Sequence, residues 1–141
     1  MKILVLNGPN INFLGIREPE IYGRGTYEEM LAMISKAADE RGIDVEFFQS
    51  NHEGALIDKI QQAYGIFDGI VFNPAGYSHT SIALADAIKA VGIRTVEVHI
   101  SDISKREVYR RHSFISEAAC ACITGHGFDG YVEAIDILTE V

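Results

Sequence analysis

Positive charge is gathered in two places along this acidic chain of 141 residues. The formal net charge is −8, yet five of the seven arginines (Arg17, Arg24, Arg106, Arg110 and Arg111) stand in two segments without helical or strand periodicity. Guanidinium groups clustered in loops suit an anionic small molecule, which they grip through charge-assisted hydrogen bonds. Backbone N–H groups near Ile100 and Ser101 add donors of the same kind. Among the five histidines, His79 and His99 follow apolar, strand-like runs, a position that fits acid–base work or substrate binding. His52, His112 and His126 read as surface or packing residues. Tyr22 shares its segment with Arg17 and Arg24. A phenol with the ordinary pKa of ~10 is a poor base, its anion costing about 4 kcal/mol at pH 7. A tyrosine base therefore needs cationic neighbours, which Arg17 with Arg24 or Arg106 would supply.

Several chemistries find no residues. The histidines show no HExxH or other metal-ligand spacing, so no metal site is expected. Cys120 and Cys122, two residues apart in an apolar stretch, read as buried thiols on one face of a strand rather than as a disulfide framework. Lys2, Lys36, Lys59 and Lys89 fall at a strand start or on helices, and only Lys105 lies near the arginines, which leaves no lysine well placed for a Schiff base. The Gly8–Gly15 stretch lacks the Gly-Lys-Ser/Thr ending of a phosphate-binding loop, and no GxGxxG follows the first strand. A phosphate-accepting Asp after the third strand is missing too, because Asn73 stands there. What remains is a set of Tyr, His, Arg and Asn. It suits removal of a proton beside a carbonyl, with an amide, a helix end or a water steadying the enolate. Two other readings share these residues: another metal-free lyase or isomerase acting on a carboxylated ketone, and a catalytically silent module that binds a small anion.

The elements that must position these residues alternate along the chain. Ile3-Leu4-Val5-Leu6 is a short apolar run of the kind buried on both faces. Thr26 and Glu29 form a capping box ahead of helical spacing at Tyr27, Met30, Leu31, Ile34, Ala37 and Ala38, which Gly42 ends. Val45 to Gln49 reads as the second strand, and Ser50 with Glu53 as a second capping box ahead of Leu56, Ile57, Ile60 and Tyr64. Ile70-Val71-Phe72 is the third strand, Ser78 to Val91 the third helix, Thr95 to Ile100 the fourth strand. Ala119 to Thr124 is the fifth, and Tyr131 to Leu138 the last helix. Five strands alternating with helices predict an α/β fold, a parallel sheet with helices on both faces in a flavodoxin-like order. Ligands of such sheets lie beyond the carboxyl ends of the strands. There the chain has Asn7-Gly8-Pro9-Asn10, Gln49-Ser50-Asn51, Asn73-Pro74-Ala75-Gly76 and His99-Ile100-Ser101, expected to converge on one edge. The connection from Gly8 to Gly25 is longer than the ~2–6 residues usual there and carries Arg17, Tyr22 and Arg24, which suggests a lid.

Composition sets the bounds. Apolar residues are 48% and charged residues 23%, ordinary for a globular chain of one domain spanning residues 1–141. A net-acidic chain is a poor match for a phosphate backbone, so nucleic acid is not an expected partner. No apolar run approaches the ~18–20 residues of a membrane span, and the opening Met-Lys-Ile-Leu-Val-Leu-Asn does not read as a signal peptide. The expectation is a cytoplasmic protein.

Long stretches of the chain resemble the type II 3-dehydroquinate dehydratases. They are Asn7-Gly8-Pro9-Asn10-Ile11-Asn12-Phe13-Leu14-Gly15 with Arg17-Glu18-Pro19 and Tyr22-Gly23, then Gln49-Ser50-Asn51-His52-Glu53-Gly54. Asn73 through Ser81, Glu97-Val98-His99-Ile100-Ser101, Arg106-Glu107 with Arg110, Ser113, Ser116, Gly125, Gly127 and Gly130-Tyr131 follow in order. The resemblance implies a flavodoxin-like subunit, a homododecamer built as a tetramer of trimers, and no cofactor. The reaction it implies is conversion of 3-dehydroquinate to 3-dehydroshikimate and water, in the shikimate pathway leading to chorismate and the aromatic amino acids. By the same resemblance Tyr22 is the base, Arg17 stabilises the transition state, and His99 protonates the departing hydroxyl. Asn10 holds the water that steadies the enolate. Asn73, His79 and Arg110 bind substrate, Ile100 and Ser101 take its carboxylate, and Asp86 reaches a neighbouring subunit's site. Arg106 supports the ionised Tyr22. The chain departs from the family pattern in Ser78 for Thr, Ala121 for Gly, His126 for an apolar residue and Asp102 for Asn. The charge of Asp102 would repel the substrate unless it points away or pairs with Arg106.

Overall fold

The computed structural model describes residues 1–23 and 25–140. Five strands, β1 (Lys2–Asn7), β2 (Asp44–Gln49), β3 (Gly69–Asn73), β4 (Arg94–His99) and β5 (Ala121–Thr124), form one parallel sheet in the order β2-β1-β3-β4-β5. This is the expected flavodoxin-like α/β arrangement. Along β1 the pleat sends Ile3 and Val5 into one core and Leu4 and Leu6 into the other, which is why the run is apolar at every position rather than alternating. The first core is completed by α2 (Tyr27–Glu40) and α5 (Asp129–Thr139), through Met30, Ile34, Tyr131 and Ile135. The second is completed by α3 (Glu53–Ala63) and α4 (Ile82–Val91), through Leu56, Ile60, Leu84 and Ile88. Each of these fully buried side chains contributes about 1.5–3 kcal/mol.

The capping box of α2 is present: Thr26 Oγ1 accepts from the Glu29 N–H at 3.2 Å, and Glu29 Oε2 accepts from the Thr26 N–H at 3.4 Å. The corresponding expectation for α3 is corrected. Its N-cap is His52, and Ser50 Oγ accepts from the His52 N–H instead, because the chain takes two more residues to turn from β2 into the helix. The third helix is also shorter than expected. Residues Ala75–His79 form a 3-10 turn, and α4 begins only after Ser81, whose Oγ accepts from the Leu84 N–H at 2.9 Å. The cysteine expectation fails as well: Cys120 precedes β5, and both thiol residues are exposed. β5 is an edge strand, and on the face of Cys122 the short turn Ile115–Glu117 covers only part of it.

The long first connection has structure of its own. It holds a 3-10 turn at Ile11–Phe13 and a four-residue helix, α1 (Pro19–Tyr22), and it roots Ile11 and Leu14 in the first core. Two crossing loops are pressed together beneath it. The Gly8 N–H donates to Asn73 O at 2.8 Å, and a Cβ on Gly8 would lie 2.5 Å from Pro74 O, so only glycine fits. Among the described residues, no helix is long and apolar enough to cross a membrane.

Candidate active site

The paired registers Asn7↔Asn73 and Phe72↔Glu97 align the strand ends so that the loops after β1, β3 and β4 open onto one cavity of about 180 Å³. That is below the ~300 Å³ of sites for drug-sized ligands and suits a single substituted ring. Asn10, Arg17, Tyr22, Asn73, His79, His99, Ile100, Ser101, Arg106 and Arg110 all line it. Asp86 does not; it is exposed on α4, away from this chain's cavity. Arg24 lies outside the described residues.

Tyr22 ends α1 and brings its oxygen between two cations. Arg17 Nη2 donates to Tyr22 Oη at 2.9 Å and Arg106 Nη1 donates to the same oxygen at 3.1 Å. The Arg17 guanidinium also lies over the Tyr22 ring, 4.3 Å from its centre. Burial works against the Arg106 charge, but the hydrogen bond and charge of Tyr22, with Glu107 and Glu18, outweigh it and raise its pKa. Two cationic donors on one phenol oxygen are what a phenolate requires.

His99 closes β4 and meets Glu97 two residues earlier on the same face. Its Nε2 bonds Glu97 Oε2, which leaves Nδ1 as the nitrogen free for a ligand. Glu97 is fully buried, and its other contacts are two hydroxyls: Ser113 Oγ donates to Oε2 at 2.6 Å and Ser116 Oγ to Oε1 at 2.5 Å. Burial raises the carboxyl pKa, yet the His99 contact and these hydroxyls outweigh it, so Glu97 titrates below its ordinary range. His79, whose ring centre is 6.4 Å from that of His99, is lowered by burial first, the His112 carbonyl opposing and the His99 and Arg110 charges assisting. Its Nδ1 is taken by His112 O at 2.7 Å, so Nε2 is left to meet a ligand as a neutral acceptor.

Asn73 forms the cavity floor, its amide largely committed. Nδ2 donates to Tyr131 Oη at 2.9 Å, and Oδ1 accepts from the Ala75 N–H at 3.0 Å, holding Ala75 at a left-handed φ of +52°. Tyr131 Oη in turn donates to Asn7 Oδ1 at 2.7 Å. Asn10, also left-handed at φ +69°, is fixed by its N–H donating to Asn51 Oδ1 at 3.0 Å. Arg110 Nε lies 3.1 Å from Glu107 Oε2, an ion pair without hydrogen-bond alignment, so this buried N–H has no hydrogen-bond partner. Asp102 points to Ser104, accepting from its N–H at 3.0 Å and its Oγ at 2.6 Å. Asp102 is thus held in its own turn rather than paired with Arg106, and it does not line the cavity.

In the sequence Glu97, Ser113 and Ser116 stand only within the matching motifs, without a role. The readable signal is a glutamate between Val96 and Val98 in a strand run, at a position where a charge survives only with partners. Tyr131 and Asn7 carried no comparable signal, since their contact joins the two ends of the chain.

Fold and cavity together define a flavodoxin-like α/β protein with a metabolite-sized acid–base site lined by arginines. Comparison with known proteins narrows this. A family described as dehydroquinase class II matches residues 1–139. A protein named 3-dehydroquinate dehydratase from Clostridium acetobutylicum is 57% identical over 141 residues, covering 100% of this chain and 98% of its own. The crystal structure of a type II dehydroquinase from Butyrivibrio crossotus superposes with a TM-score of 0.98 at 51% identity, covering 99% of this chain and 98% of the other. One from Propionibacterium acnes gives 0.94 at 41% identity, with 99% and 97% covered. The chain belongs to the class II dehydroquinase family.

Proposed function

We propose that this chain is a hydro-lyase that converts 3-dehydroquinate to 3-dehydroshikimate and water through an enolate. The observation that carries the reading is Tyr22 Oη, held by Arg17 at 2.9 Å and Arg106 at 3.1 Å, in the same cavity as His99. As a phenolate, Tyr22 takes the acidic proton beside the substrate ketone. Asn10 helps hold a water against the enolate oxygen, and Arg17 balances the negative charge that moves onto the substrate. His99, its ring held by Glu97, gives a proton to the departing hydroxyl, so that water leaves and the substrate ring becomes an enone. Each such proton transfer is worth ~10²–10⁴ in rate. Backbone N–H groups at Ile100 and Ser101 take the substrate carboxylate, while Asn73, His79 and the unmatched N–H of Arg110 hold its ring hydroxyls. Base, acid and charge stabilisation all come from side chains, so the reading calls for no cofactor.

A module that merely holds an anion needs the arginines but neither a tyrosine pinned by two of them nor a buried Glu97–His99 pair. The same reading makes the protein one catalytic domain, working in the cytoplasm as a homododecamer in which Asp86 reaches the cavity of a neighbouring subunit. Its test is direct. Adding 3-dehydroquinate to the purified protein generates the near-ultraviolet absorbance of the product enone, which the substrate lacks. Binding without any rise in absorbance would leave the anion-binding module standing and overturn the enzyme.

A further inference from the structure

We propose that Glu97, His99 and Cys122 form an inhibitory binding site for a thiophilic divalent cation of the zinc type, entered from the exposed sheet edge at β5. The sheet builds it from residues far apart in sequence. Glu97 and His99 share one face of β4, and the register Glu97↔Cys122 places the cysteine beside Glu97 on β5. One ligand atom from each, a carboxylate oxygen, an imidazole nitrogen and the Cys122 sulfur, all lie within 4.8 Å of one another. Spacing rules for helical and ribbon metal motifs do not register such a set, because it is assembled across two strands.

A tetrahedral ion sets the separations that its ligands must reach. Zinc–sulfur bonds of ~2.3 Å and zinc–nitrogen or zinc–oxygen bonds of ~2.0 Å put ligand atoms about 3.5 Å apart. Binding therefore parts Glu97 from His99, whose ligand atoms are in direct contact, and draws the exposed Cys122 side chain inward. Glu97 and His99 are 0% and 5% exposed, so the other two ligands are already ordered and shielded. The hydroxyls of Ser113 and Ser116, both donating to Glu97, orient the carboxylate as an outer shell. A set of one sulfur, one nitrogen and one oxygen selects zinc-like ions over magnesium or calcium, which prefer oxygen alone. Water at the strand edge completes the fourth position.

The consequence for turnover follows from which nitrogen is taken. An ion on His99 Nε2 takes the place of the Glu97 contact, so the carboxylate no longer orients the ring in the cavity that it lines. This inhibitory half rests on the reading of His99 as the acid; the binding half does not.

Titration of the purified protein with Cd2+ reads binding independently of activity, through the ultraviolet charge-transfer absorption of a cadmium thiolate. The expected band saturates at one ion per chain in the wild type and in Cys120→Ala, and is absent in Cys122→Ala. In the dehydratase assay Zn2+ inhibits the wild type reversibly, a chelator restoring the rate. Loss of an outer-shell partner alone weakens a metal site ~10–100-fold, so Cys122→Ala, with basal turnover unchanged, requires at least ~10-fold more zinc. No band in the wild type, or an equal band in Cys122→Ala, overturns the site. A band that depends on Cys122 without inhibition keeps the site and overturns its inhibitory role.

Discussion

The proposed dehydration takes one proton and gives another, and two residues of different chemistry, Tyr22 and His99, line the cavity. His99 is of the residue type that most often acts as a base, but its Nε2 is taken by the buried Glu97 carboxylate, which holds the ring for the donor's part in the proposed reaction. Tyr22 has the two cations that a base of its kind needs. The expected outcome is that Tyr22→Phe abolishes both dehydration and exchange of the substrate's acidic proton with solvent deuterium. His99→Ala impairs dehydration yet retains part of the exchange, since proton removal precedes loss of water. Arg17→Ala lowers both. Normal exchange in Tyr22→Phe with none in His99→Ala would reverse the two roles. Glu97 gives a second measurement, on stability. Because its folded pKa is lowered, its contribution is fully present above the ordinary glutamate value of ~4.3 and is lost as the pH falls through the folded value. Urea unfolding between pH 7 and pH 3 should therefore show an acid-side loss that is smaller in Glu97→Gln; identical slopes would remove the carboxylate from that role.

At the scale of elements, the site is a contact between loops rather than a feature of any one of them. Gly8 is the tightest point, where a methyl group would meet the Pro74 carbonyl at 2.5 Å. Gly8→Ala should lower unfolding free energy by ~1–3 kcal/mol and weaken substrate binding, because the loop carrying Asn10 must move outward. An unchanged denaturation midpoint would contradict the close approach. Above it, the segment from Leu14 through α1 is anchored by Ile11 and Leu14 and reaches over the cavity with Arg17 and Tyr22. Tryptic cleavage after Arg17 is expected in the free protein and suppressed by a substrate analogue; equal cleavage in both removes the lid. Much of this was legible in the sequence. Apolar runs gave the strands, the Thr26–Glu29 box gave the start of α2, and the residues after the strands named most of the cavity. What could not be read depended on the third dimension. Ser50 does not cap the helix because the turn out of β2 runs two residues longer, and Cys122 is exposed because its strand lies at the edge. The partners of Glu97 come from a loop 16 and 19 residues away that no local pattern links to it.

The whole molecule shows a surface and a chain order that matter beyond the cavity. On α4, Ile82 is 58% exposed although the helix packs Leu84, Ala85 and Ile88 inward, so its outer side carries apolar area of the kind that subunits cover. Light scattering at micromolar concentration should give the mass of twelve chains, and a single monomeric species rejects the dodecamer. The buried contacts of Tyr131 bear on how the protein is made. Its hydroxyl joins Asn7 and Asn73, which lie 124 and 58 positions earlier in the chain. A ribosome works from the amino end, so the loop bearing Asn10 and Tyr22 leaves it well before the helix that anchors its base. Until α5 docks, Val96 and Val98 also lack their apolar cover. A nascent chain halted before Asp129 thus holds Tyr22, His99 and every arginine without the helix that fixes Asn7 and Asn73, and its expected turnover is nil until α5 has been made.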